Sequence, residues 1–354
     1  MNNHEWELAF VLPNITLSTR LETPLLALLP PDDDTIEELK NGSDRIKRFL
    51  DSFINEMSHQ VKPSALVVNK VAPSSVNTLE ALTAFRNAVA LSFIVEGSLR
   101  LGDSPYPAFS DHFDFYPYSF TRNYDLINYI PGGLSFIPGK NTFIGTCSPY
   151  LPKLPKGGFN PDRNLLECLY KVWHMLYVLN INDRAGRVLF RSLEMAYSAA
   201  STPYKNINAA QDYGIRIALW VSALEILFGK GHVISELGKY EWAKNELNNQ
   251  SYTYKNRNYN LIQFLCTKLY GARNNFMHGN RIGKNDLVFN ELPFIPVLAP
   301  AIYRAGVWSY LNRLIEKENS DDTIEKDLSK IIAERWHKTR YENDLLQIIN
   351  HSQN

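Results

Sequence analysis

Cysteine is scarce in this chain. Its 354 residues hold three, Cys147, Cys168 and Cys266, widely spaced and with no Cys-x-x-Cys pair. An odd, scattered set excludes a disulfide framework and reads as buried thiols in a reducing cytoplasm. An excess of one charge is also missing, since 37 Lys and Arg stand against 37 Asp and Glu. That excludes a protein whose whole surface attracts nucleic acid, so any polyanion contact must be local. No apolar run approaches a membrane span, and Met1-Asn-Asn-His-Glu-Trp lacks a basic then apolar start. Neither a membrane partner nor a secretory leader is expected, and the expected location is cytoplasmic. His4, His59, His112, His232 and His351 form no His-x-x-x-His or His-Glu-x-x-His and have no Cys partners, so no metal or other cofactor is expected. Gly229-Lys230-Gly231 follows a helix and lacks the Gly and Ser/Thr spacing of a phosphate loop, and no Gly-x-Ser-x-Gly marks a hydrolase. Repeats and low-complexity tracts are absent as well.

What is present changes texture near residue 158. Before it, Glu5–Val11 and Ala65–Val68 read as strands, and Ile36–Met57 as a helical region broken near Asn41-Gly42. Asn77–Leu101 reads as a strong helix, with Leu79, Leu82, Phe85, Val89 and Phe93 near helical spacing and Arg86-Asn87 on its surface. The aromatic stretch Phe109–Tyr129 alternates enough to suggest strands. Pro131-Gly-Gly, Pro138-Gly and the segment from Pro152 to Pro161 then mark a boundary.

From Asn160 the pattern is wholly helical, opening on a capping Asn160, Pro161 at the first position and Asp162 in the first turn. Helices are expected near 161–179, 183–200, 208–228, 233–248, 260–278 and 296–317. A last one follows the capping box Asp322-Thr-Ile-Glu325 and runs to about Asn350. His174 reads as a packed His on an amphipathic helix, and His337 as part of a solvated basic face. The expected fold class is α+β: a mixed α/β domain over 1–158 and an α-helical bundle over 159–354.

The stretch with the most chemistry is Arg273-Asn-Asn-Phe-Met-His278-Gly279, closing an apolar helix that begins near Leu261. At about 100° per residue, Leu261, Leu265, Leu269, Ala272 and Phe276 share a broad face, while Asn274 and His278 lie opposite with Gly271 beside them. Tyr270, Cys266, Met277 and Arg273 form a half-apolar flank between. One side therefore packs into its own domain, and the other carries Arg, Asn and His as a helix does when it meets a partner. Gly279 suits the left-handed C′ position, which would set His278 at the helix end beside unpaired carbonyls that favour a cation.

Two further features support a site here. Glu225 is the only acid in Ile215–Phe228, with Val221, Ala218 and Phe228 as its helical neighbours. A carboxylate so placed needs a partner, and Arg273 is the obvious one. Between Leu247 and Asn285 there is no acid, while Lys255, Arg257, Lys268, Arg273, Arg281 and Lys284 alternate with Tyr252, Tyr254, Tyr259, Tyr270 and Phe276. Cations among aromatics suit a phosphate backbone with unstacked bases.

Arg273-Asn274-x-x-x-His278-Gly, some 50 residues after Trp220-x-x-Ala-Leu-Glu225-x-Leu-Phe228, resembles a HEPN domain. More narrowly it is similar to the ApeA-like HEPN proteins of bacterial anti-phage defence, over roughly Asn160 to Lys317. The resemblance implies a metal-independent endoribonuclease, a toxic abortive-infection effector, working as a homodimer in which two such helices meet across a two-fold axis. The RNA 2′-hydroxyl would attack the adjacent phosphate, leaving a 2′,3′-cyclic phosphate and a 5′-hydroxyl. His278 would act as general acid or base, Arg273 would stabilise the phosphorane, Asn274 would orient the phosphate or His278, and Glu225 would hold Arg273. Lys255, Arg257, Lys268, Tyr270, Arg281 and Lys284 would contact RNA, and the N-terminal domain would sense a phage-derived trigger. The alternative is a HEPN-like scaffold that binds RNA, nucleotide or a partner protein without cutting.

Overall fold

The structure is a computed structural model that describes residues 5–100, 108–118, 135–137, 142–148, 151, 160–181, 183–202, 209–239, 252–280, 283–317, 330 and 340–351. The chain is mixed α and β and divides into two compact units, 1–83 with 111–159 and 84–110 with 160–354. The helix expected over 77–101 thus belongs from Ala84 onward to the second unit.

The first unit is built on an antiparallel sheet of β1 (Trp6–Leu12), β2 (Leu21–Glu22), β3 (Leu26–Leu29), β5 (Ser64–Asn69) and β6 (Tyr116–Pro117), in the order β2-β3-β5-β1-β6. The runs Ala-Phe-Val-Leu, Leu-Ala-Leu-Leu and Ala-Leu-Val-Val are buried on both faces, which explains why they read as continuous apolar strings. Helices α1 (Asp34–Gly42) and α2 (Asp44–Leu50), capped by Asp33 and Ser43, pack Ile36, Leu39, Phe49 and Leu50 against Trp6, Leu8, Val11, Ala27 and Val67. The helical region expected to reach Met57 ends at Leu50. Phe53–Ile54 instead forms β4, parallel to β8 (Thr142–Thr146), which also pairs with β7 (Ser135–Ile137). The reason is tertiary: Phe53 is fully buried, and its ring lies where a Cβ on Gly145 would stand 2.3 Å away. Of the strands expected over 109–129, the described part holds a 3₁₀ turn at Ser110–Phe113 and β6, while 119–129 lie outside the described residues.

The second unit is a helical bundle of α3 (Leu79–Gly97, from Ala84), α4 (Arg163–Tyr177), α5 (Arg184–Ala199), α6 (Ala209–Phe228), α7 (Val233–Leu237), α8 (Leu261–Met277), α9 (Lys284–Leu287), α10 (Ala299–Lys317) and α11 (Arg340–His351). Helix α6 lies at its centre. Ser192 of α5 donates to the Ala223 carbonyl at 2.7 Å and meets the Tyr303 hydroxyl of α10 at 2.8 Å. Gly306 of α10 lets Leu224 approach to 2.7 Å of where a Cβ would stand.

Four expectations need correction here. Arg86 and Asn87 are buried, not surface residues: α3 is apolar nearly all round and sits inside, and Arg86 lies 3.9 Å over the Tyr197 ring and hydrogen-bonds its hydroxyl. Asp162, not Asn160, caps α4, accepting the Leu165 N–H at 3.1 Å from an extended backbone. The region is not wholly helical, since β9 (Tyr252–Tyr254) and β10 (Arg257–Tyr259) form a hairpin, as do β11 (Val288–Phe289) and β12 (Leu292–Pro293). Both turns put two residues at positive φ, Lys255-Asn256 and Asn290-Glu291, with none of the glycines that usually announce such turns. Finally, Cys147 is half-buried against the Ile54 carbonyl, whereas Cys168 and Cys266 are buried. The helix expected over 233–248 is described to Leu237, and residues 240–251, Asp322–Glu325 and His337 lie outside the described residues. Among the described residues, no helix is long and apolar enough to cross a membrane.

Candidate functional site

Helix α8 starts on a capping box in which Asn260 accepts the Gln263 N–H at 2.8 Å and Gln263 accepts the Asn260 N–H at 3.1 Å. Gln263 Nε2 also donates to the Ile234 carbonyl at 2.9 Å, tying α8 to α7. Leu261, Ile262, Phe264, Leu265, Cys266, Leu269 and Ala272 are buried, a wider face than the spacing alone indicated. Beyond Ala272 the helix emerges: Asn274, Met277 and His278 are exposed, while Arg273, Asn275 and Phe276 are half-buried.

The helix end follows from residue chemistry. Gly279 takes φ +73°, its N–H bonds the Phe276 carbonyl at 3.1 Å, and the Asn280 N–H bonds the Asn275 carbonyl at 2.9 Å. These are the two bonds of a Schellman motif, which needs a residue free of left-handed strain at C′. Phe276 is seated by Gly214 of α6, where a Cβ would lie 2.0 Å from its ring. Asn275 donates to Asp286 Oδ1 at 3.2 Å, and Asp286 Oδ2 accepts the Gly283 N–H at 2.8 Å. The sequence reading missed Asp286; the only signal for it was its place immediately after the acid-free stretch.

Glu225 and Arg273 come together across α6 and α8, with Arg273 Nη2 3.7 Å from Glu225 Oε2 and the two side chains 23 % and 17 % exposed. Arg273 Nη1 donates to Asn274 Oδ1 at 3.2 Å. Tyr270, expected to touch RNA, donates its hydroxyl to Glu225 Oε1 at 3.3 Å. Burial raises the Tyr270 pKa, with the nearby Cys266 and Glu225 adding to the shift, so this phenol stays a proton donor across physiological pH. The sequence assigned Glu225 one partner and the structure gives it two. His278 stands at the C-cap with φ −91° and ψ 8°, its backbone N–H bound to the Asn274 carbonyl at 3.0 Å.

The remaining predicted contacts spread along the first half of α8. Tyr252 stacks on Phe264 at 5.0 Å, and the Lys268 ammonium lies 5.1 Å from the Tyr254 ring centroid and 5.6 Å from that of Phe264. Lys255 lies 5.4 Å over Tyr254, and Arg257 is exposed beside it on the hairpin. These aromatic rings therefore serve as cushions for ammonium groups. Arg281 lies outside the described residues; Lys284 opens α9. Among the described residues, no group of three or more His, Cys, Asp or Glu is placed to hold a metal ion. Comparison of the chain with protein families, with curated proteins and with solved structures finds no match.

Proposed function

We propose that this protein is a metal-independent endoribonuclease of HEPN type, acting through Arg273, Asn274 and His278 as a toxic defensive effector. One observation carries the reading: Glu225 holds the Arg273 guanidinium across two helices while Asn274 beside it and His278, just over one turn on, stand exposed. The same helix end thus carries a guanidinium held in place, an exposed amide and an exposed imidazole, the groups this chemistry uses. In the proposed reaction the 2′-hydroxyl attacks phosphorus, His278 takes its proton or gives one to the departing 5′-oxygen, and Arg273 neutralises the phosphorane oxygens. Arg273 and His278 lie five residues apart, about 140° round an ideal helix. A second copy contributing its own His278 or Arg273 across a two-fold axis would close that gap, and Met277, 60 % exposed between them, offers the apolar contact.

Exposure of Met277 also favours the second reading, a scaffold that binds RNA or protein without cutting. Pulsed expression in a bacterium separates the two. Cleavage predicts growth arrest and RNA fragments with new 5′-hydroxyl ends that persist when divalent ions are chelated. His278→Ala and Arg273→Ala should each abolish the fragments while circular dichroism stays native. Fragmentation that survives both substitutions removes these residues from the mechanism.

A further inference from the structure

The Glu225–Arg273 pair departs from the geometry a guanidinium and a carboxylate adopt when nothing else holds them. Two planar groups of this kind meet fork to fork, through two parallel N–H···O bonds. Here one nitrogen faces one oxygen, Arg273 Nη2 and Glu225 Oε2, at 3.7 Å, which is an ion pair but too long for a hydrogen bond. The other oxygen, Oε1, accepts the Tyr270 hydroxyl at 3.3 Å. Tyr270 precedes Arg273 by three residues and Asn274 by four, so it is a helical neighbour of both on α8. The carboxylate is therefore shared, one oxygen to the phenol and one toward the guanidinium.

This division decides what Arg273 has left to offer. Among the described residues its guanidinium makes one hydrogen bond, from Nη1 to Asn274 Oδ1 at 3.2 Å, and its side chain is 23 % exposed. Asn274 spends its amide oxygen on that bond and keeps its amide N–H groups as donors at an exposed position. The outward-facing groups are thus N–H donors on a cation and on its neighbour, a set that suits a phosphate oxygen. A carboxylate with both oxygens free would turn to close the fork and cancel the charge.

We propose that Tyr270 is a positioning residue: by occupying Glu225 Oε1 it lets the acid anchor Arg273 without closing the guanidinium fork, which is kept for a phosphodiester. The proposal rests on the reading of this helix end as an RNA site. It gives Tyr270 a role through Glu225 in place of the direct RNA contact expected from the sequence.

The test uses the full chain and a short 2′-fluoro RNA oligonucleotide, which lacks the attacking hydroxyl and so reports binding alone. Affinity is read by fluorescence anisotropy across a range of salt. Arg273→Ala should weaken binding and lower the salt slope by about 0.7, the loss of one single-strand phosphate contact. Tyr270→Phe should weaken binding by about threefold or more and lower the slope in the same direction. Its urea midpoint should stay level or rise, because the freed acid closes on Arg273. In the Glu225→Gln background, where no charge can close the fork, Tyr270→Phe should make no further difference. Native binding by Tyr270→Phe, or an equal loss with and without Glu225, overturns the role, as does a native chain that fails to bind or is indifferent to Arg273→Ala. Unmodified RNA assayed in parallel tests the ribonuclease reading separately: the expected binding pattern without cleavage keeps the role of Tyr270 and rejects the cutting.

Discussion

At the scale of single residues, the Glu225 carboxylate distinguishes a structural from a functional role for Arg273. The pair is open on one side and 3.7 Å apart, so its net contribution to stability is small, on the order of 0–1 kcal/mol. Glu225→Gln should therefore shift the urea midpoint little. It keeps an acceptor for Tyr270 but leaves Arg273 without its counter-charge; under the proposed ribonuclease reading, RNA cleavage should fall by about tenfold or more, which corresponds to about 1.4 kcal/mol of misplaced transition-state stabilisation. Unchanged cleavage kinetics in this variant would separate Glu225 from the site. His174 supplies a pH prediction of another kind. Burial alongside Tyr170 lowers its pKa below the ordinary value of 6.5, so the folded chain holds fewer protons on this group than the unfolded chain does. Its contribution to stability is complete above about pH 6.5 and is lost as pH falls through the lowered folded value. Denaturation midpoints measured from pH 7.5 to 5 should fall more gently in His174→Gln than in the native chain.

At the scale of elements, α6 and α8 decide where the site sits, and glycines report how closely they pack. Gly214→Ala pushes a methyl into the Phe276 ring, with 2.0 Å to the nearest atom, and overpacking of this kind costs about 1–3 kcal/mol. Gly271→Ala, in the middle of α8 with nothing within 4 Å, should stabilise the isolated fold by about 0.5–1 kcal/mol through helix propensity alone. Chemical denaturation of the two variants should give opposite signs. If the open face of α8 receives RNA or a second copy, Gly271→Ala should lower cleavage while raising stability. The helix itself was legible beforehand, because its apolar spacing, capping Asn260 and terminal Gly279 are local signals that agree with one another. The hairpin of Tyr252 to Tyr259 was not, since its turn places Lys255 and Asn256 at positive φ without a glycine, and its strands rest on Phe264 through Tyr252 and Tyr254, a contact between separate segments.

At the scale of the whole molecule, the second unit is closed by charges that no periodicity reveals. Arg304 joins the start of α4 to α11 through Asp162 and Glu342, residues separated from it by 142 and 38 positions. Replacing Arg304 by Met would take the guanidinium away from two buried carboxylates, and losses of about 3–5 kcal/mol are typical of that change. The guanidinium denaturation midpoint of Arg304→Met should drop far more than that of Glu225→Gln, with α11 expected to lose amide protection first. Arg86 is interior through a different contact, its guanidinium lying over the Tyr197 ring of α5. Helix α3 read correctly as a helix from Leu79, but residues that would be surface on an isolated amphipathic helix become interior when every face is covered.

By itself, the sequence determined the local elements and their sidedness: strands where apolar runs are short and bounded, helices where caps and spacing coincide, and a helix that ends in Arg, Asn and His at a glycine. Which distant groups meet was decided only in three dimensions. Glu225 with both Arg273 and Tyr270, Asp286 with Asn275, and Arg304 with Asp162 and Glu342 are pairings between segments far apart in the chain, or between a helix end and the turn that follows it. Periodicity fixes the direction a side chain leaves its own backbone. The neighbour waiting in that direction depends on how the helices cross, and that crossing is set by the packing of the entire core.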